Sequence, residues 1–574
     1  MTYFAKRYNI CKTFKINMKQ ELIIEKINKT KFFLSSNNLQ EAKKEILDCI
    51  KLNKDETQAY YYLIKIYIKE NKEKEAIQYL QEAINYNPKN IQYYLFLAEI
   101  YFNNLNEFLY KLIELYESIL VMNYVDDIIL YRLSFLYHKT LNLNKSNEYL
   151  AKLYSYNRMQ PQLNLLKQYT TISSLAFNYN YKKQENFYKK YKDFILQFEE
   201  LKIQIPNKYK SWSWPKKDKI RIGFVSGDFK THPVNFFIKS LLKYIDRSKY
   251  ELIAFSTINV EDNETKITKD LFNEWNVLNV NQVEISAKKI YEKEIDILID
   301  LSGHTANNAL PLFKYKPAPI QISWLGYFAS TGISEIDYFI TSETCVTKDE
   351  EQYFIEKVLK LPETYLCYDF SSYNINLAIN TAFYKNNYIT FGFFQNLSKS
   401  SDDDIILWKK ILDLNKNNKL LIKSKELTDI ITKEKFLQKL ISYGINLQQL
   451  ILRGSTSLEE HLNQHNEVDI MLDTLNVSGC TTTCQCLYMG VPIITNKGNS
   501  MLMRHGEQFL KIIQLEDWIA NSADDYIEIV KKQTQNIQNL QLIKNTLRQK
   551  VLNSSMGNGE VFAKQFEILL KSIK

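Results

Sequence analysis

Ile470-Met-Leu-Asp-Thr-Leu-Asn-Val-Ser-Gly-Cys-Thr-Thr-Thr-Cys-Gln-Cys-Leu-Tyr-Met-Gly-Val-Pro-Ile-Ile-Thr495 changes its pattern three times in one short stretch. Ile470 to Leu472 is an unbroken apolar run that ends at Asp473. A turn containing Gly479 follows, three threonines open a short helix, and Pro492 to Thr495 is apolar again. Strand, turn, helix and strand in that order are the repeating unit of a parallel α/β sheet. The start of such a helix presents unpaired backbone N–H groups. With the hydroxyls of Thr481, Thr482 and Thr483 it is a place for a diphosphate. An ordinary N-cap needs one hydroxyl, not three.

The same alternation extends in both directions. Upstream, strands are expected at Ile220 to Val225, Leu252 to Phe255, Ile295 to Leu301, Ile320 to Trp324 and Tyr338 to Thr341. After a polar break near Ser371 to Asn387 come Ile389 to Phe393, Leu420 to Ile422, Leu450 to Leu452, Ile470 to Leu472 and Pro492 to Thr495. Two successive open sheets imply two Rossmann-like lobes, with ligands at the carboxyl ends of the strands.

Before Lys219 the period is different. Leu63, Tyr67, Ala76, Ala83 and Pro88 fit a tetratricopeptide hairpin, and Leu97, Ala98 and Tyr101 lie 34 residues after Leu63, Ile64 and Tyr67. Ala42 lies 34 residues before Ala76, and Leu133, Ser134 and Tyr137 continue the series with two extra residues. Four degenerate repeats are expected between about Lys19 and Asn157. Stacked hairpins form a surface suited to extended peptides, which points to a protein partner. The expected fold class is an α-helical tetratricopeptide-repeat superhelix followed by an α/β module of two Rossmann-like lobes. The expected divisions are repeats at 19–158, a helical linker at 159–215 with a hinge at Trp212-Ser-Trp-Pro215, a first lobe at 216–375, a second lobe at 385–545 and a C-terminal helix at 546–574.

Composition narrows the function classes. A chain of 574 residues with 45% hydrophobic and 24% charged residues is ordinary for a multidomain globular protein. The formal charge of +9 is modest for this size and spread through interleaved Lys and Glu, so nucleic acid is not an expected partner. There is no long apolar run of membrane type and no signal-peptide core, and seven scattered cysteines set no disulfide framework. A cytoplasmic location and no membrane partner are expected.

Other segments that follow strands carry candidate chemistry. Phe391-Gly-Phe-Phe-Gln-Asn-Leu-Ser-Lys399 delivers Asn396 and Lys399, and a lysine is a compact charge for a departing diphosphate. Ser401-Asp-Asp-Asp404 imitates an Asp-x-Asp metal motif, but a serine cap with an acidic first turn accounts for it better. Cys484 and Cys486 cannot project together from a helix and have no histidine beside them, so no metal is expected. Ser226-Gly-Asp-Phe-Lys-Thr-His-Pro233 offers His232 as general base or as substrate donor. Gly303-His-Thr-Ala-Asn-Asn308 and Trp324 to Gly332 bring His304, Thr331 and Gly332, expected to contact the acceptor or the sugar.

Together these segments resemble the catalytic module of the O-linked GlcNAc transferase and SPINDLY family, glycosyltransferase family 41. The likeness runs collinearly from about Ile220 to the C-terminus through RIGFVSGDFKTHPV, IDLSGHTANN, KPAPIQISWLGYFASTG, IDYFIT, FFQNLSK and LDTLNVSGCTTTCQCLYMGVPIIT, and ends in a helix with Phe562 and Glu567. HTANN and TTTC-x-x-LYMGVP resemble the SPINDLY branch more closely. The resemblance implies a GT-B module and inverting, metal-independent transfer from a nucleotide sugar, foremost UDP-GlcNAc, to Ser or Thr of proteins. It implies that Lys399 stabilises the diphosphate with Asn396 beside it, and that Gly479, Thr481, Thr482 and Thr483 hold the phosphates. His232 then faces the sugar, and His461 packs on the nucleotide. Three positions depart from the pattern: Gln485 where relatives carry an acid for the ribose, Leu458 where many UDP-GlcNAc transferases carry Lys, and Cys480 where the animal enzymes carry His. GDP-fucose or another hexose donor, transfer to Asn, and a silent repeat scaffold stay open.

Overall fold

The computed structural model describes residues 2–140, 142–155, 208–215, 217–371, 373 and 375–573. The expected linker therefore lies outside the described residues as far as residue 207. The chain divides into two compact units, residues 1–136 with 429–432, and residues 137–428 with 433–574.

The helical part runs α1 (Thr2–Ser35), α2 (Leu39–Leu52), α3 (Thr57–Lys69), α4 (Glu73–Tyr86), α5 (Ile91–Asn103), α6 (Leu105–Val121), α7 (Asp127–Lys139) and α8 (Leu143–Ser155). Helix α1 begins well before Lys19, where the first repeat was expected. The residues that set the 34-residue period are the buried ones: Ala42, Leu63, Tyr67, Ala76, Ala83, Leu97, Ala98, Tyr101 and Leu133. Small residues there let helices cross closely, and aromatics fill the space between them. Tyr60 meets Tyr93 of the next hairpin edge to face at 5.0 Å. Asp55 ties the same two hairpins, accepting from Asn87 Nδ2 at 2.7 Å and Tyr93 O–H at 2.9 Å.

Two parallel sheets follow. The first contains β1 (Ile220–Ser226), β2 (Tyr250–Ser256), β3 (Glu274–Val277), β4 (Ile297–Asp300), β5 (Ile320–Trp324), β6 (Tyr338–Ser342) and β7 (Lys357–Leu361), in the order β3-β2-β1-β4-β5-β6-β7. The second contains β8 (Thr390–Phe393), β9 (Lys419–Lys423), β10 (Leu450–Arg453), β11 (Ile470–Leu472), β12 (Ile493–Asn496) and β13 (Ile519–Ala520), in the order β10-β9-β8-β11-β12-β13. Strand order reverses beside β1 and again beside β8. The loops after β1, β4, β8 and β11 thus flank the two switch points, where open sheets leave a crevice.

Two features were not foreseen. Trp212-Ser-Trp-Pro215 is fastened to the first lobe, with Trp212 Nε1–H donating to the Lys316 carbonyl at 3.3 Å and Tyr209 stacked on Tyr291 at 3.9 Å. It is an attached strap where a hinge was expected. The helix Ile537–Asn553 runs through residue 546, and the final helix Gly559–Lys571 returns to the first lobe. There Phe566 and Phe562 cover Trp324 at 4.7 and 6.2 Å, and Glu567 accepts from the Asp246 amide at 2.9 Å.

Trp324 and Phe566 are both buried. Phe566→Ala is expected to lower the unfolding free energy by roughly 3–5 kcal/mol, the usual result of emptying a buried aromatic site. Urea denaturation followed by tryptophan fluorescence checks this; a loss below about 1 kcal/mol would mean that the helix is not part of the core.

Candidate active site

Asp473 follows β11 and is fully buried. A lone carboxylate there would be costly, and this one accepts five hydrogen bonds. Oδ1 takes Gln395 Nε2 at 2.9 Å and the amides of Thr474 at 3.0 Å and Gly479 at 2.8 Å; Oδ2 takes the hydroxyls of Ser478 and Thr495, both at 2.7 Å. The turn 474–480 is thereby wound around one side chain. Gly479 sits where a Cβ would come within 2.8 Å of Thr483 Oγ1, 2.9 Å of Thr482 Oγ1 and 3.0 Å of Gln395 Nε2. The glycine is required by that close approach.

The turn leads into the helix Thr481–Tyr488, whose N-cap residue Cys480 makes no side-chain cap bond. Thr481 and Thr482 are partly exposed on its first turn. Thr483 differs from expectation. It is fully buried and its hydroxyl donates to the Gly479 carbonyl at 2.9 Å, so it locks the turn from within.

Lys399 comes from the loop after β8 and meets the same turn: its Nζ donates to the Ser478 carbonyl at 3.3 Å. Burial holds the ammonium below the ordinary lysine range, opposed by the nearby carboxylate of Asp473. Asn396, three residues earlier, is exposed at the start of the one-turn helix Leu397–Lys399. The acidic run beyond it is structural. Ser401 caps the helix Asp402–Asp413, Asp402 pairs with Lys439 at 2.7 Å, and buried Asp404 accepts from the Ser401 amide and hydroxyl and the Leu475 amide. Burial pushes Asp404 up to about 6. Among the described residues no three His, Cys, Asp or Glu side chains are grouped so as to hold a metal.

His461 lies in the helix Leu458–Asn463, with its ring 5.7 Å from Phe394 and 5.2 Å from His465. Burial first, and Lys423 second, push it down to about 4, while a hydrogen bond with Gln485 acts the other way. The neutral ring lies tilted to Phe394 and edge-on to His465. Gln485 is buried and its Nε2 donates to Tyr368 O–H at 3.1 Å.

In the first lobe His232 is the N-cap of the helix Pro233–Tyr244. Its Nδ1 accepts from the Val234 amide at 3.3 Å and lies 3.5 Å from Asp228. Burial lowers the imidazole and raises the carboxyl. His304 and Thr331, expected near acceptor or sugar, are buried and engaged with each other and with Glu356. His304 Nε2 meets the Thr331 carbonyl at 2.7 Å; the Thr331 amide donates to Glu356 at 2.7 Å and its hydroxyl does so as well. Their side chains hold the loop. Gly332 completes it at φ +73, a conformation that favours glycine.

Sequence reasoning gave no role to Asp473, Gln395, Tyr365, Tyr368 or His505. Asp473 carried a signal, an acid directly after an apolar run and before a glycine turn. The others act through contacts between segments far apart in the chain.

The second lobe thus brings a helix N-terminus and a lysine together at its switch point. The sequence profile of glycosyl transferase family 41 matches residues 171–381 and 377–566, and the chain belongs to that family. A tomato (Solanum lycopersicum) relative named "Probable UDP-N-acetylglucosamine--peptide N-acetylglucosaminyltransferase SPINDLY" is 30% identical over 408 residues, 70% of this chain and 43% of its own length. A rice (Oryza sativa subsp. japonica) relative of the same name is 33% identical over 373 residues, 64% of this chain and 40% of its own. The chain thus spans less than half of these relatives. In fold it is similar to a variant of the Thermobaculum terrenum O-GlcNAc transferase, with a TM-score of 0.66 at 21% identity, covering 96% of this chain and 97% of that one.

Asp473→Asn is expected to lower stability by roughly 2–4 kcal/mol, because an amide nitrogen replaces an oxygen that takes two hydroxyls. Asp402→Asn, at a partly exposed pair with Lys439 and a hydrogen bond with Tyr443, should change it by less than about 1 kcal/mol. Thermal unfolding of the two variants side by side distinguishes them; equal losses would remove Asp473 from its organising place.

Proposed function

We propose that the chain transfers a sugar from a nucleotide-diphosphate donor, foremost GlcNAc from UDP-GlcNAc, to Ser or Thr hydroxyls of proteins, with inversion and without a metal. The observation that carries this reading is Lys399 meeting the Asp473-held turn at the start of the Thr481–Tyr488 helix. As the acceptor oxygen bonds to the anomeric carbon and its hydroxyl proton passes to solvent or to the departing diphosphate, the bond from that carbon to the diphosphate oxygen breaks and negative charge grows on the leaving group. The Lys399 ammonium, the first-turn amides and the hydroxyls of Thr481 and Thr482 are donors already in place for it, which is where preorganisation contributes most. His461 and Gln485 take the nucleoside end.

His232 enters this reading as a donor. With Nδ1 accepting from Val234, a neutral ring carries its proton on Nε2, and service as a base would require giving up the cap bond. The helical hairpins are the proposed surface for the protein acceptor. A relocated specificity is the second reading, favoured by Gln485: an amide bonded to Tyr368 replaces the acid expected for a ribose, which leaves GDP-fucose or another hexose donor in contention. Among the described residues no helix is long and apolar enough to cross a membrane.

Incubating the chain with candidate proteins and each donor, then reading intact mass, decides between these. Addition of an N-acetylhexosamine from UDP-GlcNAc supports the first, a deoxyhexose or hexose supports the second, and no addition from any donor overturns both. Lys399→Ala should keep the fold and cut turnover roughly 100- to 1,000-fold. EDTA should leave turnover unchanged; activity lost in EDTA and restored by Mn²⁺ would contradict the metal-free mechanism.

A further inference from the structure

We infer that Tyr365 and His505 are a positioning pair that fixes the phosphate turn to the first lobe, an inference that rests on the transfer reading above. Tyr365 lies just beyond β7 and belongs to the first lobe, its carbonyl accepting from Trp324 Nε1–H at 2.9 Å. Its phenol meets His505 Nε2 at 2.5 Å. Both residues are buried, and His505 is the first residue of the helix His505–Ile512 in the second lobe. The preceding residue, Arg504, makes a second tie across the lobes, with Glu350 at 2.6 and 2.9 Å.

The following residue reaches the phosphate turn. The Gly506 amide donates to Ser478 Oγ at 2.7 Å, Ser478 Oγ donates to Asp473 Oδ2 at 2.7 Å, and the Ser478 carbonyl takes Lys399 Nζ at 3.3 Å. Gly506 has no slack: a Cβ there would come within 2.5 Å of Thr495 Oγ1 and 2.9 Å of both Asp473 Oδ2 and Ser478 Oγ. A shift of the helix start therefore moves Ser478, and with it the seat of Lys399. Burial and the Lys399 ammonium push the His505 imidazole down to about 3, so it stays neutral and shares a hydrogen bond with the phenol through Nε2. Both side chains are buried, and their route to Lys399 runs through Gly506 and Ser478.

The test uses Tyr365→Phe, His505→Leu and the double variant in the full chain. With UDP-GlcNAc as donor, each single variant should raise the donor KM or lower kcat about fivefold, leave the acceptor KM unchanged, and show no further loss when combined. Hydrogen exchange gives a reading independent of turnover: the amides of Gly479 and Gly506 should exchange faster in Tyr365→Phe, and the Asp55-bound hairpins should not. Unchanged exchange at Gly479 and Gly506, or additive losses in the double variant, overturns the pair. Faster exchange there in a chain that transfers no sugar supports the coupling and counts against the transfer reading instead.

Discussion

The second lobe depends on one buried carboxylate. Asp473 stands where β11 ends, and everything that follows for seven residues is arranged around its two oxygens. Because a buried ionised carboxylate without partners is so unfavourable, the chain must bring donors to it, and it brings them from three places: its own turn, Gln395 after β8 and Thr495 on β12. The outcome is a rigid glycine turn that aims a helix N-terminus, with Lys399 drawn to the carbonyl of Ser478.

The same device recurs. Asp300, the last residue of β4, accepts from the amides of Ser302 and Gly303 and is pushed up to about 6 by burial. Asp469 accepts from the amides of Phe383 and Thr390 and is likewise pushed up to about 6. Glu356 gathers Ser330 and Thr331 and is raised too. Each acid trades an unfavourable burial for a loop of one shape. Loops at the switch points must be irregular to receive a ligand, and the acids supply the order that a strand or helix would supply elsewhere.

How much of this could be read from residues alone follows from the range of the forces involved. Central strands such as β1, β4, β8 and β11 are buried on both faces and announce themselves as apolar runs. The strands the sequence did not reveal, β3, β7 and β13, are all sheet edges. Glu274-Trp-Asn-Val277 and Lys357-Val-Leu-Lys-Leu361 carry polar residues because one side meets solvent, and Ile519–Ala520 is too short to have a period. The repeat positions were legible because packing repeats with the chain. At the site, Lys399 and the Gly479 turn were legible because each follows its own strand. The engagement of His304 with Thr331 and the Tyr365–His505 contact were not, since each is decided by a partner from elsewhere in the fold, and Thr483 turns its hydroxyl back to the Gly479 carbonyl, a choice between inward and outward that three like threonines do not mark.

The proposal that Lys399 and the start of the Thr481–Tyr488 helix receive a diphosphate is open to direct inspection. A crystal structure of the full chain with UDP tests it. The account predicts the diphosphate on the amides of Thr481 and Thr482, with Lys399 Nζ moved from the Ser478 carbonyl to a phosphate oxygen and the Asp473 hydrogen bonds intact. UDP bound elsewhere, with Lys399 still on Ser478, would contradict it.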